Sequence, residues 1–315
     1  MARFGVQIEP QLGFSYPEIR TLARESERLG YHSLFCSDHL FLDPRRPEVD
    51  CLECWTTLSA LIGETRTLRL GSMVSCNSYR QPSLLAKVAA TFDVLSGGRL
   101  EFGIGAGWKE VEYKAYGIPF PKASTRIEQL AEAVQIIRAM WTQNEATFGG
   151  KHYTIEEAVC EPKPLQNPHP KIMIGGEKPR LLRVVAEHAD AWNLAWTQTP
   201  EEFEEKVGIL EEHCSDVGRD IGEIEKTLGA IVVVGEDEEQ IRGKVKKMLQ
   251  QWGSELTVDE YLTRVKGALV GTPEQVRGIL REYIDLDIDH FILMFPDIRE
   301  ITPLRYFASQ VMSKL

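Results

Sequence analysis

The sequence predicts an α/β chain closed into a (β/α)8 TIM barrel, with insertions at the carboxyl-end mouth. Short apolar runs alternate with segments of helical spacing along the chain, a pattern that produces parallel strands joined by right-handed crossovers. Eight such runs occur, which favours closure over an open doubly wound sheet. The length of 315 residues suits a barrel carrying insertions, here expected at about 106–170 and 250–270 of a single 1–315 domain.

The strand candidates are Phe4 to Ile8, Ser33 to Ser37, Leu68 to Ser75, Leu100 to Ile104, Lys171 to Ile174, Asp190 to Trp196, Thr227 to Gly235 and His290 to Phe295. The fourth is the plainest. Leu100, Phe102 and Ile104 alternate with Glu101, Gly103 and Gly105, so one face packs on helices and the other looks into a narrow space. Gly105 and Gly107 then let the backbone approach a ligand closely. The seventh, TLGAIVVVG, is a continuous apolar run of the kind buried parallel strands show.

Helix signals lie between the runs. Ser15 with Glu18 makes a capping box around Pro17, and Gly30 stops that helix. Leu84, Leu85, Val88 and Phe92 mark the helix before Ser96-Gly97-Gly98. Ile127, Leu130, Val134, Ile137 and Trp141 mark a long amphipathic helix, followed by ATFGGKHYTI, which reads as a hairpin; together they are expected as an insertion over the mouth. Thr272 and Gln275 box the start of the last crossover helix.

Composition narrows the function. A net charge of −11 argues against nucleic acid or an anionic membrane as the main partner, since basic surfaces bind both. No run approaches the roughly 18 apolar residues of a membrane span and the start has no signal-peptide pattern, so a cytoplasmic protein is expected. The six cysteines are scattered, as reduced thiols are. Cys36, His39, Cys51 and Cys54 have spacing suggestive of zinc, but strand parity points Cys36 and His39 apart, and no metal is expected.

Two places carry chemistry. Asp38 and His39 follow the second strand, at the end of a barrel where catalytic groups sit, and an adjacent carboxylate favours a protonated imidazole that can exchange a proton. Gly175-Gly176 follows the fifth strand and opens a helix, an arrangement that suits a phosphate; Glu177 opposes an anion there, while Lys178 and Arg180 offset it. GIGAGW lacks the position and spacing of a dinucleotide fingerprint.

CSDHLF, GSMVSCNSYRQPSLLAK, LSGGRLEFGIGAGWKEVEYKAYGIPFP, IGGEKPRLLRVVAEHADAWN and GTPEQV, taken together, resemble the bacterial luciferase-like flavin and deazaflavin oxidoreductases. The wording is closest to members that use coenzyme F420, with FMN-dependent monooxygenases as the alternative and a flavin-binding protein without turnover as a third reading. The resemblance implies a flavin ring in the barrel mouth, a non-proline cis peptide at Met73-Val74 behind it, and phosphate amides at Gly175 and Gly176. It implies cofactor contacts at Ser37, Asp38, His39, Met73, Val74, Ser75, Gly105, Gly107, Gly175, Gly176 and Glu177, catalysis by His39 with Asp38, a small-molecule substrate and a homodimer. Trp108 stands where related sugar-phosphate dehydrogenases carry a catalytic carboxylate, so that reaction is not implied.

Overall fold

The structure, a computed structural model, describes residues 2–196, 199–265 and 268–315. In chain order the elements are β1 (Arg3–Ile8), α1 (Tyr16–Arg28), β2 (Ser33–Cys36), α2 (Cys54–Leu61), β3 (Arg69–Cys76), α3 (Pro82–Ser96), β4 (Leu100–Gly105), α4 (Glu110–Ala115), α5 (Ala123–Thr142), β5 (Glu145–Gly149) and β6 (Thr154–Val159). They continue with β7 (Ile172–Gly175), α6 (Pro179–His188), β8 (Ala191–Ala195), α7 (Pro200–Asp216), β9 (Glu225–Val234), α8 (Glu238–Gln251), α9 (Val258–Arg264), β10 (Leu269–Gly271), α10 (Pro273–Asp285), β11 (Ile288–Met294) and α11 (Thr302–Gln310).

All eight expected strands form, and they pair in parallel in the order β1-β2-β3-β4-β7-β8-β9-β11. The barrel closes where β11 meets β1, with Val6 opposite Leu293. Strand parity then sorts the side chains. Leu100, Phe102 and Ile104 of β4 are buried beneath the helices, Phe102 against Trp55 and Trp141 with ring centroids 6.1 and 5.1 Å away. The opposite parity fills the lumen, where Phe35, Met73, Met173, Ala191 and Ile292 form a small apolar cluster of their own.

Helix ends follow their chemistry. Glu18 accepts from the Ser15 amide and hydroxyl at 2.7 Å, and the Thr272 amide donates to Gln275 at 2.8 Å, closing the expected boxes. Gly97 ends α3 with φ of 70°, a conformation that favours glycine. Among the described residues no helix is long and apolar enough to cross a membrane.

The two expected insertions are built differently from the sequence reading. The long helix α5 packs between α3 and α6 and buries Leu130, Ala133, Val134 and Ile137, so it is the barrel's own crossover helix. The additions between β4 and β7 are α4 and the β5–β6 hairpin. The hairpin leans on α5, where Glu132 accepts from the Lys151, His152 and Tyr153 amides, and it contributes nothing to the wall of the mouth. In the second segment α9 and β10 appear, with β10 pairing alongside β9 outside the barrel circle. Tyr261, Val265 and Ala268 there join Ile241, Val245 and Met248 of α8 in a satellite core. Residues 266 and 267 of this segment lie outside the described residues.

Candidate active site

The carboxyl ends of the strands open into a cavity of about 600 Å³. Ser37, Asp38, His39, Met73, Val74, Ser75, Gly105, Gly107, Gly175, Gly176 and Glu177 all lie on its wall, with Glu9, Tyr79, Trp108, Lys109, Glu112, Arg126 and Trp196. The Met73-Val74 peptide is cis, and the β3–β4 register shifts between Ser72 and Ser75. Ser75 is turned away: its hydroxyl accepts from the Trp55 indole at 2.9 Å and donates to Ser72 at 3.0 Å. A second non-proline cis peptide, Ala195-Trp196, also borders the cavity and has no signal in the sequence.

His39 does have a carboxylate partner, but not Asp38. Its Nδ1 lies 3.1 Å from both oxygens of Glu112, a fully buried side chain at the start of α4. Glu112 also accepts from the Leu40 amide at 3.0 Å, the Tyr79 hydroxyl at 2.6 Å and the Lys109 ammonium at 3.1 Å. Burial alone lifts a carboxyl, but the hydrogen bonds from His39 and Tyr79 outweigh it and hold Glu112 down at about 2. Burial and the Glu112 hydrogen bond raise the Tyr79 hydroxyl, which stays a donor.

Asp38 is spent elsewhere. Arg80 grips it with two hydrogen bonds of 2.6 and 2.9 Å, and the Cys76 amide donates to it at 2.9 Å. Arg80 also contacts Glu53, the cap of α2. Burial raises the Asp38 carboxyl against the pull of Arg80. The expected Asp38–His39 pair is therefore replaced by two separate clasps: Asp38 ties β2 to the end of β3, and Glu112 holds the imidazole. Consecutive side chains leaving a strand diverge, which is the physical reason.

The glycines that line the cavity also make room for protein neighbours. A Cβ on Gly105 or Gly175 runs into Val74, at 2.8 and 3.1 Å, and one on Gly107 meets Tyr113 and the Cys76 sulfur. Their smallness first makes room for protein neighbours, the bulged β3 above all. At the phosphate end, the Gly176 amide donates to the Asn193 carbonyl at 3.1 Å and so is not an anion donor. Lys178 pairs with Glu177 at 3.0 Å and Arg180 with Glu128 at 2.9 Å, so neither cation is held for a ligand alone.

A cation that sequence reasoning missed stands nearby. Arg126, in the first turn of α5, is 8% exposed and lines the cavity beside Gly107. It donates to the Gly107 carbonyl at 3.2 Å and to Pro121, stacks on Phe120 at 3.9 Å, and has no carboxylate partner among the described residues. Glu9 was missed as well: it accepts from Gln7 at 2.8 Å and from Gln11, which in turn accepts from Ser37 at 2.8 Å. For Glu112 a signal existed, since Lys109, Glu112 and Tyr113 share one helical face just after the β4 glycines.

The thiols weighed as zinc ligands point into the protein. Cys54 contacts the Cys36 carbonyl at 3.5 Å and Cys51 the His39 carbonyl at 3.2 Å. Burial raises both thiols, Cys51 to about 12. Among the described residues no group of three or more His, Cys, Asp or Glu side chains could hold a metal ion.

The family model of the luciferase-like monooxygenases matches residues 1–290. An FMNH2-dependent dimethylsulfone monooxygenase of Pseudomonas putida is 25% identical over 85% of this chain and 72% of its own. An F420-dependent glucose-6-phosphate dehydrogenase of Microbacterium testaceum is 26% identical over 99% of this chain and 97% of its own. Among solved structures, an F420-dependent secondary alcohol dehydrogenase in complex with an F420-acetone adduct has a TM-score of 0.85 at 17% identity, covering 99% of this chain and 98% of its own. That identity speaks for the fold alone, and the barrel agrees. The chain belongs to the luciferase-like monooxygenase family.

Proposed function

We propose that the chain is a coenzyme F420-dependent oxidoreductase that moves a hydride between the deazaflavin and a small organic substrate. The observation that carries this reading is His39, an imidazole clamped on one nitrogen by Glu112 at 3.1 Å, on the wall of a cavity of about 600 Å³ at the carboxyl ends of the strands. The family holds F420-dependent and FMN-dependent enzymes alike; the local wording of the motifs, taken as a set, favours the former.

The residues present fit such a cofactor. Met73 and Val74 offer an apolar wall for a flat ring, and Arg126 brings to the same cavity a positive charge with no carboxylate partner among the described residues. Arg126 would hold the anionic part, a role the Gly176 amide cannot share. Bound there, deazaflavin would supply a hydride-accepting carbon. The chain's own residues bind and orient, while His39 gives or takes the accompanying proton.

The test is a fluorescence titration of the apoprotein with F420, repeated with FMN as competitor. Tight F420 binding that FMN does not displace is the expected result. Preference for FMN would turn the reading to a monooxygenase fed by a partner reductase, and binding of neither would remove the cofactor assignment.

A further inference from the structure

We propose that Glu112 is a positioning residue that fixes His39 with its proton on Nδ1, leaving Nε2 as the nitrogen that exchanges a proton in the cavity. The inference deepens the reading of His39 given above and rests on it for its functional meaning, though not for its geometry.

Glu112 is surrounded by donors. An ionised carboxylate only accepts, and Glu112 is held in that form by its buried hydrogen bonds. Each partner around it brings a hydrogen: the Leu40 amide at 3.0 Å, the Phe41 amide at 3.4 Å, the Tyr79 hydroxyl at 2.6 Å and the Lys109 ammonium at 3.1 Å. The remaining partner is His39 Nδ1, equidistant from the two oxygens at 3.1 Å. Were Nδ1 bare, its lone pair would face two carboxylate oxygens at a side chain with no exposure to water, an arrangement with no hydrogen to share. The proton must therefore sit on Nδ1.

The Lys109 ammonium, only 15% exposed, answers the Glu112 charge within the same cluster. A neutral imidazole protonated at Nδ1 has its lone pair on Nε2. Nε2 has no hydrogen-bond partner among the described residues, and His39 lines the cavity. Trp108 meets the ring edge-on, centroids 5.7 Å apart at 83°, and limits its tilt. A substrate O–H or N–H in the cavity can then pass its proton to Nε2, giving an imidazolium whose Nδ1–H still rests on Glu112; in the reverse direction the proton returns to substrate.

The experiment is nitrogen-15 NMR of the apoprotein labelled in its histidine rings, with the His39 signals assigned by their loss in His39→Gln. At a pH where the ring is neutral, Nδ1 should resonate as protonated and Nε2 as unprotonated. Glu112→Gln, which keeps the shape but can also donate to the ring, should mix the two tautomers, whereas Tyr79→Phe should retain the Nδ1–H form. A wild-type spectrum with the proton on Nε2 overturns the inference without need of any variant, and an unchanged tautomer in Glu112→Gln overturns the role of Glu112. The readout requires no turnover, so failure of F420 and FMN to bind would strike the cofactor assignment and leave the tautomer result to be judged by itself. With a substrate in hand, Glu112→Gln should lower kcat about 10- to 100-fold with coenzyme Kd unchanged.

Discussion

Two histidines at opposite ends of the barrel show what separates a structural group from a candidate functional one. His290 sits at the amino-terminal end, 2% exposed, with Nε2 at 2.9 Å from the Ser33 hydroxyl and Nδ1 at 3.7 Å from Glu225. Both of its nitrogens face protein groups. The charges around it are equally spent: Arg3 pairs with Glu225 and Asp289 at 2.8 and 2.7 Å, Lys171 with Glu225 at 2.6 Å, and Arg69 with Glu101. At the other end His39 has one nitrogen on Glu112 and lines the cavity, and Arg126 carries a charge that no carboxylate answers among the described residues. Residue type is the same at both ends. What differs is whether the protein has used up the valences, and barrels keep stability at one end and chemistry at the other.

The largest effect expected from breaking this contrast is on turnover. His39→Ala should lower kcat about 10²- to 10⁴-fold while coenzyme affinity stays within a few-fold, as measured by steady-state kinetics beside a binding titration. His290→Gln should do the reverse, lowering Tm and sparing kcat. Equal loss of turnover in the two variants would erase the distinction.

Next in size is the Asp38 clasp. Arg80→Ala leaves a carboxylate buried without its partner and should cost about 3–5 kcal/mol in urea denaturation. Adding Asp38→Asn should recover part of that loss, since it removes the unanswered charge. No destabilisation in Arg80→Ala would mean the clasp is less dry than its geometry indicates.

The smallest expected effect is a pH dependence at the closed end. His32, whose ring lies 5.2 Å from that of His290, is pushed down to about 4, first by burial and then by the neighbouring His290 ring. The unfolded chain takes up this proton near 6.5 and the folded chain resists until about 4. Its contribution to stability is thus full above about 6.5 and declines as pH falls toward about 4, by about 1–2 kcal/mol after allowance for solvent. Denaturation midpoints between those limits, compared with His290→Gln, should show a shallower slope in the variant.

Most of the architecture could be read from local pattern. The eight strands and the boxes at Ser15 and Thr272 depend on periodicity and on residues three positions apart, so short-range chemistry sufficed. Where α5 packs did not: its amphipathic stripe is the same whether it covers the barrel wall or its mouth, and only the neighbouring faces of α3 and α6 settle which. The site divides in the same way. Asp38 and His39 were legible as strand-end groups, but their partners, Arg80 and Glu112, lie 42 and 73 residues away in sequence.

By itself, then, the chain's sequence determined the barrel, the order of its strands, the helix ends and the stretches that reach the mouth, because each follows from apolar period and backbone chemistry within a few residues. The tertiary structure alone decided that Asp38 belongs to Arg80 and His39 to Glu112, that the Gly105 and Gly175 positions make room for Val74, and that the Gly176 amide is already engaged while Arg126 has no carboxylate partner among the described residues. Pairing of this kind depends on which groups meet when distant strands close into a circle, and hydrogen-bond valences are counted only after they have met.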